Sequence, residues 1–179
     1  MLSLCDQEKI FFSQKVKIKK VYSNIELKYF QYFHRKTNII PEHVIVINRS
    51  KSFSETVEKT RKFVFFFVKS EDYFKALFYK RSIRREIGNK VQILRIENAL
   101  VNLLFAFFPD PYIHDVKFSK KKNFIFLTIY FLSFEERGIA IGRSGDYIKA
   151  VNEIFEKFVI LQENHNINSL KIKCELIEL

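Results

Sequence analysis

Glycine is scarce in this chain, with four in 179 residues, alongside three prolines, two cysteines, one methionine and no tryptophan. Cys5 and Cys174 lie near opposite ends and form no CxxC or other ligand spacing. That excludes a cysteine-built metal site or a disulfide framework and leaves reduced thiols in an intracellular protein. No apolar run reaches the ~20 residues that span a bilayer; the longest are "FVFFFV" (residues 63–68) and "ALVNLLFAFF" (residues 99–108). The opening "MLSLCDQEKIFF" lacks the basic region, continuous apolar core and cleavage site of a secretory signal. The expectation is a soluble protein of the cytoplasm or of an organelle stroma of the plastid type. Abundant Phe, Ile, Lys, Asn and Tyr with little Gly, Ala or Pro is what an AT-rich genome encodes, so glycines kept against that drift carry weight.

What is present is apolar and basic. Hydrophobic residues make up 47%, including 21 Phe, which is ample for a core. Thirty-one Lys and Arg against 20 Asp and Glu leave a formal charge of +11. A surplus of that size favours a polyanion, either nucleic acid or an acidic membrane surface.

Residues 1–22 are basic and irregular and read as an extra strand or a loose arm. Ser23 is a candidate N-cap for a helix over "NIELKYFQYFHRK", with Ile25, Leu27, Phe30 and Phe33 broadly on one side. "HVIVI" and "RKFVFFFV" read as strands flanking a polar loop, "NRSKSFSETVEKT". "EDYFKALFYKRSIRREIG" is helical, with Tyr79, Ile83 and Ile87 on one face, Arg81, Arg84 and Arg85 away from it, and Gly88 just past its end. "NKVQILRI" is another strand.

The order then recurs: a helix over "ENALVNLLFAFF", a turn at "DPY", and a hairpin of "IHDVKFS" and "NFIFLTIYF" around Lys120, Lys121 and Lys122. A short helix, a glycine stretch and a longer helix from Asp146 to about Val159 follow, with Ile148, Val151, Phe155 and Phe158 inward, and "SLKIKCEL" closes as a strand. Each half reads helix–strand–strand–helix–helix–strand, an internal duplication of an α+β unit.

Gly138, Gly142 and Gly145 fall within eight positions, in "ERGIAIGRSGDYIKAVNEIF". The spacing is not that of a P-loop, which needs GxxxxGK[ST], nor of the dinucleotide fingerprint GxGxxG. Ser144 stands one place late for a GxSxG nucleophile elbow, with no His nearby in sequence. What remains is GxxG between two helices, where the backbone turns sharply without Cβ atoms in the way. The start of the second helix then offers its dipole and N–H groups to an anion, with Arg143 adding a cation and Ser144 a small hydroxyl. This suits a phosphate, and KH domains clamp about four nucleotides of single-stranded backbone with such a loop. A plain helix–helix turn would also use two glycines at this spacing.

"ERGIAIGRSGDYIKAVNEIFEKF" resembles the second KH domain of NusA-type transcription factors, with the pattern "RGLAIGKGGxNIK". "REIGNKVQILRI" resembles the family's "KKLGKKVEVVEY", and "ENALVNLLFAFFPDPYIHDVKF" its connecting "EFIKNLFAPAEVKSVxI". The resemblance covers about residues 23–177 and is to the short archaeal layout of two KH units. It implies an α+β chain of two tandem type II KH domains, over 23–96 and 97–179, each a three-stranded sheet with helices on one face. It further implies RNA binding in transcription elongation, termination or antitermination. No constellation of residues supports an enzyme, and no ligand spacing supports a metal; the expectation is a monomer without cofactor. The RNA-backbone loop would be Gly142, Arg143, Ser144 and Gly145, with Lys149 one turn on; Ser144 stands where the family has a further glycine.

In the first unit the family pattern puts the loop at Phe74, Lys75, Ala76 and Leu77, where no glycine is present. Yet Lys75, Lys80, Arg81, Arg84, Arg85 and Lys90 face a single acid, Glu86, over residues 75–90. A helix displaying Lys75, Lys80, Arg81, Arg84 and Arg85 could hold phosphates without a glycine loop. Partners would be single-stranded RNA and either RNA polymerase or the ribosome. The alternatives are a ribosome-associated KH protein and a KH-fold protein-interaction module.

Overall fold

The computed structural model describes residues 13–49, 61–108, 113–121, 124–162 and 169–177. Most of the expected polar loop after the first strand, the "DPY" turn, Lys122 and Cys5 lie outside them. In chain order the elements are β1 (Val16–Ile18), α1 (Asn24–Thr37), β2 (His43–Arg49), β3 (Arg61–Val68) and α2 (Tyr73–Ile87). Then come β4 (Lys90–Arg95), α3 (Leu100–Phe107), β5 (Asp115–Lys121), β6 (Phe124–Phe131), α4 (Phe134–Ile141), α5 (Asp146–Lys157), β7 (Val159–Leu161) and β8 (Ser169–Leu176). The fold is mixed α+β. It divides into two compact units, Lys20–Ile96 and the combination of Met1–Lys19 with Glu97–Leu179. No helix of the described residues is long and apolar enough to cross a membrane.

In the unit Lys20–Ile96, β3 is the middle strand, antiparallel to β2 and parallel to β4. The parallel pairing needs a crossover, which α2 supplies. From Phe63 to Val68 every β3 side chain is buried, as an unbroken apolar run in a central strand requires. Val64, Phe66 and Val68 meet Phe33 of α1 and Ala76 and Ile83 of α2 in one cluster, with Phe33 stacked on Phe66 at 4.4 Å between centroids. Each Phe buried this way stabilises the fold by about 1.5–3 kcal/mol relative to exposure.

Helix α1 starts at a complete capping box between Ser23 and Glu26. The apolar face expected for it is wrong: Ile25 and Leu27 are exposed. At 3.6 residues per turn Ile25 and Leu27 are too far apart to share a stripe with Phe33. Glu26, Phe33 and Thr37 form the buried stripe, and Glu26 accepts a further hydrogen bond from the Val46 N–H at 3.1 Å.

After β3 there is one α-helix, not two. A single 3-10 turn over Ser70–Asp72 leads straight into α2, and Phe74, Lys75, Ala76 and Leu77 form its first turn. A loop expected at those four residues does not exist. None of them is Gly or Pro, so nothing there interrupts helix formation. Gly88 ends α2 in the left-handed conformation, φ +70°.

In the other unit, β6 is the middle strand, antiparallel to β5 and parallel to β8. Strand order and sense repeat those of β2, β3 and β4. Here burial alternates: Ile125, Leu127, Ile129 and Phe131 are buried and the residues between them only partly so. Leu103, Leu104 and Phe107 of α3 and Val151, Ile154 and Phe155 of α5 are buried, Phe107 lying 5.4 Å from Phe155 between centroids. Residues 16–18, read as arm or strand, form β1, which pairs antiparallel with β7. The helix expected to run to about Val159 ends at Lys157, and Val159 instead opens β7.

Candidate nucleic-acid interface

Helix α4 is started by a second capping box, Ser133 with Glu136, and is stopped by Gly142. That residue sits at φ +73°, ψ 172°, a region only glycine occupies readily. A Cβ there would also lie 2.8 Å from the Tyr147 Cβ, closer than side chains approach. Two independent constraints therefore demand glycine at 142. Arg143–Gly145 make one 3-10 turn, closed by the Gly145 N–H donating to the Gly142 carbonyl at 3.0 Å. Gly145, φ +69°, leads into α5; a Cβ there would make only ordinary contacts, so backbone conformation alone favours glycine. Ser144 holds a left-handed conformation too, φ 57°, ψ 21°. The serine thus keeps the shape a glycine would take, with strain of about 1 kcal/mol or more.

Gly138 differs from its two neighbours. It lies within α4, exposed, and among the described residues nothing stands within 4 Å of where its Cβ would be. Neither its conformation nor packing among the described residues requires glycine there.

Arg143 and Ser144 are exposed at the apex, with the positive end of the α5 dipole behind them. Lys149, also exposed, reaches back so that its Nζ donates to the Ser144 carbonyl at 3.4 Å. Asp146 opens α5 as the acid of its first turn. The loop is thus a short turn with an exposed hydroxyl and two cations.

Three residues the sequence reading did not single out hold this turn in place. Tyr147, buried, donates its hydroxyl to the Phe107 carbonyl at 2.6 Å and packs edge-on to Phe108. Because Gly142 lies against Tyr147, the loop is braced on α3 as well as on its own helices. Asn152 donates to the Ile172 carbonyl at 2.9 Å and accepts from the Ile172 N–H at 2.6 Å, fastening α5 to β8. Arg137 Nε donates to the Cys174 carbonyl at 2.8 Å, fastening α4 to the same strand. Asn152 was legible only as a mid-helix Asn, a position where that residue needs a reason. Of the apolar residues around the turn, Ile139 is half exposed and Ile141 and Ile148 are partly buried, while Ala140 and Tyr147 are buried.

The cations expected in the first unit lie on α2, in the unit Lys20–Ile96. Lys75, Arg81, Arg84 and Arg85 are exposed. Lys80 is not available in the same way: it is partly buried, and its Nζ donates to Gln92 Oε1 of β4 at 2.7 Å. Burial, and then the Arg84 charge, lower its pKa. Glu86, the acid among them, accepts from Tyr32 at 2.6 Å and pairs with Lys36 at 2.5 Å on α1. It is turned toward α1.

No family model and no curated protein sequence matches the chain. Among 27 matching chains of solved structures is "Crystal structure of APE1850", similar over 85% of this chain and 100% of that one at 18% identity, with a TM-score of 0.56. At that identity the likeness is one of fold.

Proposed function

We propose that this chain is a single-stranded-RNA-binding protein of tandem type II KH architecture, acting as a NusA-like factor in transcription. The residues at 142–145 hold the RNA backbone, and the chemistry is recognition alone, with no catalytic step. The observation that carries the reading is the double requirement for glycine at 142, in a turn whose apex offers Arg143 and Ser144 to solvent at a helix start. A simple helix–helix turn needs the positive φ; it does not need an exposed cation and hydroxyl aligned with a helix dipole. The repeated strand order, antiparallel then parallel, supports the type II arrangement in both units.

The test is RNA binding by Ser144→Asp/Gly145→Asp. Both positions are left-handed, a conformation that Asp tolerates better than most residues, so the fold should survive, and thermal melting followed by circular dichroism would check it. Two carboxylates in front of the helix should cut affinity for a short unstructured RNA by at least about 100-fold, or about 2.7 kcal/mol. A folded double variant that binds like the wild type defeats the loop reading. Capture of RNA polymerase by the tagged wild type is expected of a transcription factor; capture of ribosomal subunits instead would overturn that part.

A further inference from the structure

Helix α2 carries a feature that the cation reading does not use. Phe74 and Phe78 are 77% and 87% exposed, and Arg81 and Arg85 continue the same line. The spacing i, i+4, i+7, i+11 places all four in one narrow stripe. The opposite face is fully committed: Ala76 and Ile83 are buried, and Leu77, Tyr79 and Ile87 pack on the core. Rotating the helix to bury the two Phe would therefore expose the core face.

Single exposed apolar residues are ordinary, but two adjacent phenyl rings continued by guanidinium groups form a patch of definite chemistry. An apolar protein partner is poorly matched, because Arg81 and Arg85 lie in the same stripe and Arg84 and Lys75 flank it. A second copy of the chain would bring like charges together. The acid of the helix, Glu86, is engaged with α1. What matches is a ligand with flat apolar faces and negative charges at regular intervals. Single-stranded nucleic acid has both, whereas a duplex hides its base faces. Residues four apart rise about 6 Å along a helix, so the two rings meet successive positions along a strand.

We infer that Phe74 and Phe78 are a base-stacking platform for single-stranded RNA, with Arg81 and Arg85 on the adjoining phosphates. The class of ligand rests on the function proposed above, but the mode of contact is different. This unit holds bases by their faces, where the other holds backbone at a glycine turn. Stacking of this kind is tolerant of sequence.

The test compares Phe74→Ala/Phe78→Ala with the wild type and with Ser144→Asp/Gly145→Asp. Each binds a short unstructured RNA and an abasic oligonucleotide of the same length, at two salt concentrations. Ala favours helix and both sites are exposed, so the melting temperature should hold. Loss of the rings should weaken RNA binding at least about tenfold, leave abasic binding unchanged and leave the salt slope unchanged. The loop variant should weaken both ligands. An unchanged RNA affinity, or an equal loss on the abasic strand, overturns the platform. Concentration-dependent dimers of the wild type that vanish in the Phe variant would assign the stripe to self-association and overturn it too. If the loop variant binds normally while the Phe variant fails, the platform stands and the loop reading falls. If the wild type binds no RNA, both fall.

Discussion

Two units of this protein share a strand order yet solve one local problem differently. Each must carry the chain from its middle strand across a layer of helix to a parallel neighbour. In the unit ending at Leu179 the crossing is made by α4, a glycine turn and α5. In the unit Lys20–Ile96 it is made by one 3-10 turn and the unbroken α2. The sheet tolerates either, because what the sheet demands is a right-handed crossover with an apolar inner face. The glycine turn is thus an addition to a crossing that the other sheet makes without it. The rings of Phe74 and Phe78 are likewise left in solvent by the packing of α2.

The comparison can be broken most sharply at Gly142. Gly142→Ala places a Cβ against Tyr147 and forces alanine into a conformation reserved for glycine. It should cost about 3 kcal/mol from strain and crowding, measured by chemical denaturation. Gly145→Ala should cost about 1–2 kcal/mol, since only the left-handed conformation opposes it. Equal losses at the two sites would mean that the contact with Tyr147 does not constrain the turn.

Ser144→Gly works in the opposite sense. Removing the strained serine should stabilise the protein by about 1 kcal/mol, while loss of the exposed hydroxyl should weaken RNA binding severalfold, by about 0.5–1.5 kcal/mol. Unchanged affinity would mean that the Ser144 hydroxyl has no direct part in binding.

The smallest expected effect is a change of slope with pH. His43 is buried against Phe67. Burial first, and then the nearby Lys20 charge, hold its pKa below the ordinary 6.5. The unfolded chain therefore takes up this proton first as pH falls, so His43 lowers stability progressively below pH ~6.5. His43→Phe should flatten the stability profile between pH 7 and pH 5. A profile as steep as the wild type's would assign the acid sensitivity to other groups.

Much of this was legible beforehand. "RKFVFFFV" and "SLKIKCEL" coincide with β3 and β8, Ser23 does cap α1, and Gly88 does end α2. Long apolar runs and caps are local signals, and local signals survive folding. The turn at 142–145 was found because glycine is rare in this chain. Three things were misread or missed. The face of α1 was misread because its buried stripe contains a glutamate, Glu26, stabilised by the Ser23 and Val46 N–H groups that no pattern of apolar residues reveals. The repeat and the family pattern imposed a second helix and a loop on the first half, although "EDYFKALFYKRSIRREIG" by itself reads as the one helix that α2 is. Pairing between β1 and β7 joins segments far apart in sequence, each only three residues long, and periodicity carries no information about that.

Asn152 has one more consequence. Strand β8 lies at the edge of its sheet, where an exposed row of peptide groups would ordinarily invite a further strand from another molecule. By giving Ile172 both a donor and an acceptor, the Asn152 amide imitates the neighbour that a new strand would be. An incoming peptide would have to evict it at the middle of the edge, and Arg137 from the Cys174 carbonyl two residues on, so this margin of the sheet is protected against fibril-like addition by two side chains.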